Sequence, residues 1–262
     1  MTSIDHTPKD STEATSLEVA PDDRPEDVEG AFEDHEDDLL LELVVLDLAG
    51  TTVSDDGVVE DAFRAAAATI GIDTEDALEA AIGLVRDTMG QSKLDVFVIL
   101  TDGDEARAAV GNAAFEEAYE RLVADGRVEA IPGAEDVVRL LRELGVGVVF
   151  TTGFAPATRD ALLASLGWSD LADAALSPVD AGRGRPAPDL PLTALLRVGA
   201  SAVDTVVVVG DTASDMLSGV NAGAGLVVGV LTGAHDEETL RDAGADEIIT
   251  SIAELPALLG LD

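Results

Sequence analysis

The chain has no cysteine, which removes disulfides, thiolate metal sites and thiol nucleophiles together. Lysine is nearly absent too. The 262 residues contain only Lys9 and Lys93, while arginine occurs throughout. Basic charge of any kind is scarce, with 15 Lys and Arg against 53 Asp and Glu and a net charge of -38. A nucleic-acid partner is excluded on that ground, because a phosphate backbone needs a basic footprint. No apolar run is long enough to cross a bilayer, so no membrane partner is expected. The first residues are polar and acidic without an apolar targeting core, and the expected location is cytoplasmic.

What is present is enough to build a core, since 47% of residues are hydrophobic. The acid excess is spread along the chain and would repel itself in dilute buffer. It suits a halophilic protein working in concentrated salt, where charges are screened over short distances. Thermal unfolding should then occur at higher temperature in multimolar potassium chloride than at low salt. Equal or greater stability at low salt would contradict this.

Residues 1–38 are rich in Asp, Glu, Pro, Ser and Thr without periodicity, and read as a disordered acidic tail. Leu43-Val44-Val45-Leu46 is then a short apolar run of the kind found in a strand buried on both faces. From Val58 to Val128 the pattern is helical without strand alternation, with segments over 61–70, 74–89, 93–100 and 106–124 and Thr74 as an N-cap. After Ile131-Pro132-Gly133, strands over 146–150, 174–176, 206–209, 226–230 and 247–249 alternate with helices. Such alternation predicts crossover connections and a mainly parallel sheet. Ligands in such sheets bind outside the carboxyl ends of the strands.

Three strands run into polar residues at that end. They are followed by Asp47, by Thr151-Thr152-Gly153, and by Gly210-Asp211-Thr212-Ala213-Ser214-Asp215, with Arg185 in Gly184-Arg185-Pro186-Ala187-Pro188 between the last two. Taken singly, these are turn residues, helix-start acids and a surface arginine. Taken together, Asp47, Asp211 and Asp215 form a carboxylate group that needs a compensating charge in a dry cleft. Magnesium, a hard cation that prefers oxygen, would supply it. A phosphoryl group would be held by the ion, the Thr152 hydroxyl, backbone N–H groups and Arg185. One carboxylate could then attack phosphorus in line.

Over residues 43–255 these motifs resemble the haloacid dehalogenase superfamily: Val45-Leu46-Asp47-Leu48-Ala49-Gly50-Thr51, Thr152, Arg185, and Gly210-Asp211 through Asp215. The resemblance implies fold class α/β, with a Rossmann-like parallel sheet core flanked by helices and an inserted all-helical cap. The core would be 39–57 and 129–262, and the cap 58–128. It implies Asp47 as nucleophile, and Mg2+ bound by Asp47, the Ala49 carbonyl, Asp211 and Asp215. Gly50, Thr51, Thr152, Gly153 and Arg185 would bind the substrate.

Ordinary phosphatases of the superfamily have a second Asp two residues after the nucleophile, to protonate the leaving alcohol. Here that residue is Ala49. Its loss withdraws help of roughly two to four orders of magnitude. The Asp-x-Ala-Gly-Thr form is similar to phosphonoacetaldehyde hydrolase (phosphonatase) and its phosphonatase-like relatives. Arg185 in place of a lysine agrees, as does Met89-Gly90-Gln91-Ser92-Lys93, which puts Met89 and Gly90 at the substrate and Lys93 at the Schiff-base position. An iminium on Lys93 would accept the electrons of a breaking carbon–phosphorus bond, so no acid at position 49 is needed. The family histidine three residues after that lysine is Val96 here, and His235 reads as a surface loop residue. The expected substrate is a small-molecule phosphonate or phosphate. The primary expectation is a 2-oxo-alkylphosphonate such as phosphonoacetaldehyde. The alternatives are a phosphomonoesterase resembling phosphoglycolate phosphatase, and a non-catalytic phosphate-binding protein. The phosphonatase likeness also implies a cap-packed homodimer.

Overall fold

The strands follow from short apolar runs that alternate side chains between two buried faces. The computed structural model describes residues 40–261. The tail expected over 1–38, with Lys9, His6 and His35, lies outside the described residues.

The six strands are β1 (Leu43–Asp47), β2 (Gly147–Thr151), β3 (Ala174–Leu176), β4 (Val206–Gly210), β5 (Leu226–Val230) and β6 (Glu247–Ile249). They form one sheet in the order β3-β2-β1-β4-β5-β6, and every pairing is parallel. Val44, Leu46, Val148, Phe150, Val207 and Val209 pack on one face. Leu43, Val45, Val149, Val206 and Val208 pack on the other. This is the expected α/β core. The order reverses direction at β1 and β4, where the chain has wound outward to β3 and then returns. An open sheet binds its ligand at such a switch.

After β1 the chain forms an insert of helices before it returns to the sheet: α1 (Val58–Ala67), α2 (Glu75–Asp87), α3 (Lys93–Leu100) and α4 (Glu105–Ala124). Thr74 caps α2 as expected, its side chain accepting from the Ala77 N–H. The first helix begins at Val58, three residues earlier than its apolar spacing suggests, because Gly57 turns the chain at φ 78°. The insert is joined to the sheet by an aromatic cluster. Phe63, Phe97, Phe115, Tyr119 and Phe154 stack in series with centroid separations of 4.5 to 6.3 Å. Space there is tight, since a Cβ on Gly111 would lie 2.5 Å from the Phe97 ring.

The remaining helices are α5 (Ala134–Glu143), α6 (Pro156–Ser165), α7 (Pro178–Ala181), α8 (Asp189–Val198), α9 (Ala213–Ala222), α10 (Glu237–Asp242) and α11 (Leu255–Leu258). No helix is long and apolar enough to cross a membrane among the described residues.

Candidate active site

The carboxyl ends of β1, β2 and β4 open into a cavity of about 730 Å³. Asp47, Ala49, Thr152, Gly153, Arg185 and Asp211 line it from the sheet side. Met89, Gly90 and Lys93 line it from the helical insert. The residues singled out on the sheet side and in the insert therefore meet, although about 40 to 120 residues separate most of them. A larger hollow of about 1040 Å³ lies at the opposite end of the sheet, around Glu42, Gly147 and Ala174. Its Arg139 and Arg142 are paired with Glu135 and Asp173, and none of the motif residues reaches it.

A tight turn aims Asp47. The Thr52 hydroxyl donates to the Asp47 carbonyl at 2.9 Å, and the Val53 N–H donates to the Leu48 carbonyl at 2.8 Å. Gly50 takes φ 91°, and a Cβ there would collide with the Asp211 carboxylate. Glycine is required on both counts. The loop after β5 closes from the other side. Gly233 also has no room for a Cβ beside Asp211, and the Ala234 N–H donates to Asp211 Oδ2 at 2.8 Å. The Thr51 hydroxyl donates to Asp211 Oδ1 at 3.1 Å, and the Thr232 hydroxyl donates to the Gly50 carbonyl at 2.7 Å.

Gly50, Thr51 and Asp215 do not line the cavity. They stand behind the residues that do. Asp215 accepts from the Thr212 N–H and hydroxyl in a capping box at the start of α9. Its other oxygen pairs with Arg185 Nε at 2.9 Å. The same guanidinium donates to Asp47 Oδ1 at 2.5 Å and to the Thr151 hydroxyl at 2.5 Å. The two threonines after β2 thus divide their tasks. Thr151 orients Arg185, while Thr152 lines the cavity and accepts from the Phe154 N–H at 3.2 Å.

Burial pushes Asp47 up to about 7, although Arg185 pulls against it. Burial also raises Asp211 well above the usual carboxylate range, with Asp47 and Asp215 adding to the rise. Burial opposes the charge on Arg185, but Asp215 and Asp47 more than offset it and its pKa rises. Asp47 and Asp215 thus share one guanidinium, while Asp211 has hydrogen-bond donors but no ion-pair partner among the described residues. Among the described residues no three acidic or histidine side chains close on a single point as a finished metal cage. Magnesium does not need one, since it keeps several waters and takes one or two carboxylates with substrate phosphate. Asp47, Asp211 and the Ala49 carbonyl, with Asp215 behind them, are an all-oxygen set that fits this ion.

The insert meets the core through Gly90-Gln91-Ser92-Lys93. A Cβ on Gly90, which has φ 84°, would strike the Thr212 hydroxyl, and one on Gly153 would strike the Gln91 carbonyl. The Lys93 N–H donates to the Gly153 carbonyl at 3.1 Å. Ser92 caps α3, so Lys93 is its first residue. The side chain is 6% exposed, and its Nζ lies 5.4 Å from the Phe154 ring centroid. It has no ion-pair partner among the described residues. Burial lowers its pKa, with Asp55 and then Asp47 opposing.

Two cavity residues carry signals that the sequence did not separate from background. His235 is half-buried, not simply a surface loop residue. Its Nδ1 accepts from the Ala213 N–H at 2.8 Å, at the start of α9. Asp55 lines the wall beside Lys93, but in a chain so rich in acid nothing marks it.

The chain is similar to known proteins. Residues 41–223 match the family model described as haloacid dehalogenase-like hydrolase. The chain is 29% identical over 218 residues to the probable phosphatase IndB of Dickeya dadantii, covering 81% of this chain and 91% of that protein. It is 28% identical over 213 residues to phosphonoacetaldehyde hydrolase of Bacillus cereus, covering 75% and 78%. The crystal structure of a phosphonoacetaldehyde hydrolase-like protein from Oleispira antarctica has the same fold. It aligns with TM-score 0.69 at 24% identity and covers 84% of this chain and 92% of that one.

Proposed function

The chain belongs to the haloacid dehalogenase-like hydrolase family, and from that premise we propose that it is a magnesium-dependent phosphonatase-like enzyme acting on a 2-oxo-alkylphosphonate such as phosphonoacetaldehyde. The observation that carries this reading is Lys93, a buried lysine without an ion-pair partner among the described residues, lining the same cavity as Asp47. Burial favours its neutral form, which is the nucleophilic one.

In this reading helices α1–α4 act as the cap over the site, and Met89 and Gly90 border the substrate. Arg185 and Thr152 bind the phosphoryl oxygens, with Gly50, Thr51 and Gly153 shaping the loops around them. Asp47, the Ala49 carbonyl and Asp211, with Asp215 behind them, would hold magnesium, which would neutralise charge at the phosphoryl group. The Lys93 Nζ adds to the substrate carbonyl carbon, and loss of water leaves an iminium. A carboxylate oxygen of Asp47 attacks phosphorus as the carbon–phosphorus bond breaks, and its electron pair passes through carbon to the iminium nitrogen as an enamine. Arg185 holds Asp47 in line and offsets its charge. Protonation of the enamine carbon and hydrolysis of the resulting iminium release the carbonyl product and free Lys93, and a second water releases phosphate from Asp47.

A second reading has its own support, since IndB of Dickeya dadantii carries the name of a phosphatase and most of its length is matched. Val96 in the place of a family histidine fits a phosphomonoesterase as well. The two separate by trapping. Phosphonoacetaldehyde with borohydride should leave a reduced adduct on Lys93, seen as a mass increase on its peptide. An unmodified Lys93 together with fast phosphate release from sugar or glycolate phosphates would favour the phosphatase.

A further inference from the structure

Position 49 holds alanine, yet both reactions need a proton moved at the organic end of the substrate. An ester expels an alkoxide. A carbinolamine loses its hydroxyl as water only when that oxygen is protonated. The cavity must therefore contain another group able to give and take a proton.

The loop after β1 is tied down by bridges from Val53 to Ala49 and to Ala130. It then runs through Asp55 and Asp56 into α1. Asp55 is half-buried and lines the same cavity as Asp47 and Lys93. Its Oδ1 accepts from the Val59 N–H at 3.0 Å, which fixes the side chain. Its Oδ2 has no hydrogen-bond or ion-pair partner among the described residues. Of all the carboxylates, Asp55 acts most strongly on the charge of Lys93, ahead of Asp47. Burial raises its own pKa, against the pull of the Val59 N–H and Lys93.

Other acids nearby are occupied or outside. Glu60 is held by Arg86 in two bonds of 2.6 and 2.8 Å. Asp56 and Asp87 are exposed. The charged and titratable groups around Asp55 are Lys93 from α3, Glu60 from α1, Asp56 beside it, and the buried Tyr119 from α4.

Resting on the hydrolase reading, we infer that Asp55 is the acid–base residue for the organic end of the substrate, carrying the protons that Ala49 cannot. With a phosphonate, the Asp55 carboxyl gives its proton to the carbinolamine oxygen, which departs as water and leaves the iminium and a carboxylate. The carboxylate recovers a proton from solvent and delivers it to the enamine carbon once phosphorus has moved to Asp47. With an ester, the proton goes to the bridging oxygen as the phosphorus–oxygen bond breaks towards it. The carboxylate then recovers its proton from solvent.

Asp55→Asn keeps an oxygen for the Val59 N–H and removes the exchangeable proton. Turnover of this variant is compared on phosphonoacetaldehyde, on an alkyl phosphate, and on p-nitrophenyl phosphate, whose leaving group needs no proton. The expected loss is about 10²- to 10⁴-fold on whichever of the first two the wild type uses. On p-nitrophenyl phosphate the loss should be under about tenfold. Asp55→Glu, which restores the acid, should recover part of the activity and of the lost limb in the pH profile. Equal losses on all substrates, no loss on any, or no recovery with Glu would overturn the assignment while Asp47-dependent hydrolysis persists. Wild-type protein that releases phosphate from none of them overturns the hydrolase reading and this inference together.

Discussion

Asp47→Asn is expected to reduce turnover of any phosphorus substrate by at least about four orders of magnitude, the scale of losing a nucleophile. The amide retains the shape and an acceptor for Arg185, so the fold should persist. Stability should respond in the opposite direction to activity. The native carboxyl titrates at about 7, above its ordinary value of 3.8, with burial as the main cause. Between these values the native state holds a proton that the unfolded state has lost. Stability of the metal-free wild type therefore falls as pH rises from about 4 to about 7, and the loss is complete above that window. Its size is on the order of a few kcal/mol. The variant lacks this titration, so its slope across the window should be shallower, with Asp211 still contributing in the same direction. Magnesium favours the ionised carboxylates and should restore wild-type stability above pH 7 more than that of the variant. Urea unfolding at constant salt, with EDTA and then with magnesium, measures all three. Identical slopes in the two proteins would refute the electrostatic account, and full activity in the variant would refute Asp47 as nucleophile.

The sheet was legible in the sequence because each central strand is a continuous apolar run that leads into a polar residue. Val206–Val209 followed by Asp211 is the clearest case. Such runs have one stable use, burial on both faces of a parallel sheet, and the polar ends then fall along one edge. The helical insert was legible for the complementary reason, since no period-two segment interrupts it. What could not be read were couplings that exist only in three dimensions. Arg185 was visible as a basic element, but not as a bridge between Asp47 and Asp215. The sequence marks Thr152 for the phosphoryl group and gives Thr151 no task. Both are used, because residues 151 and 152 face different partners. The aromatic cluster from Phe63 to Phe154 is spread over some 90 residues with no local period, so no pattern could assemble it. Asp55 was hidden by composition, as one acid among 53 acidic residues.

Lys93→Met should abolish carbon–phosphorus cleavage and make the protein more stable. Methionine nearly matches the length of the lysine stem and carries no charge. The lysine pays for its place in stability: it is 6% exposed and has no ion-pair partner among the described residues. As the first residue of α3 it also faces the positive end of the helix dipole. The Phe154 ring offsets part of this cost, as do Asp55 and Asp47. Arginine, which the chain uses everywhere else in its described part, would remain charged and could not form an imine. The choice of lysine at this one position is explained if its neutral form is what matters. Turnover of phosphonoacetaldehyde in Lys93→Met should fall by at least about three orders of magnitude, while p-nitrophenyl phosphate hydrolysis stays within about tenfold. The melting temperature should rise by about 2–4 °C for each kcal/mol regained, read in the metal-free protein. Lys93→Arg should lose the same activity without the gain in stability, since it retains a charge in the same site. Undiminished phosphonoacetaldehyde turnover in Lys93→Met would remove the Schiff base from the mechanism. A lower melting temperature would instead make Lys93 a structural residue, with its activity loss following from a damaged cap.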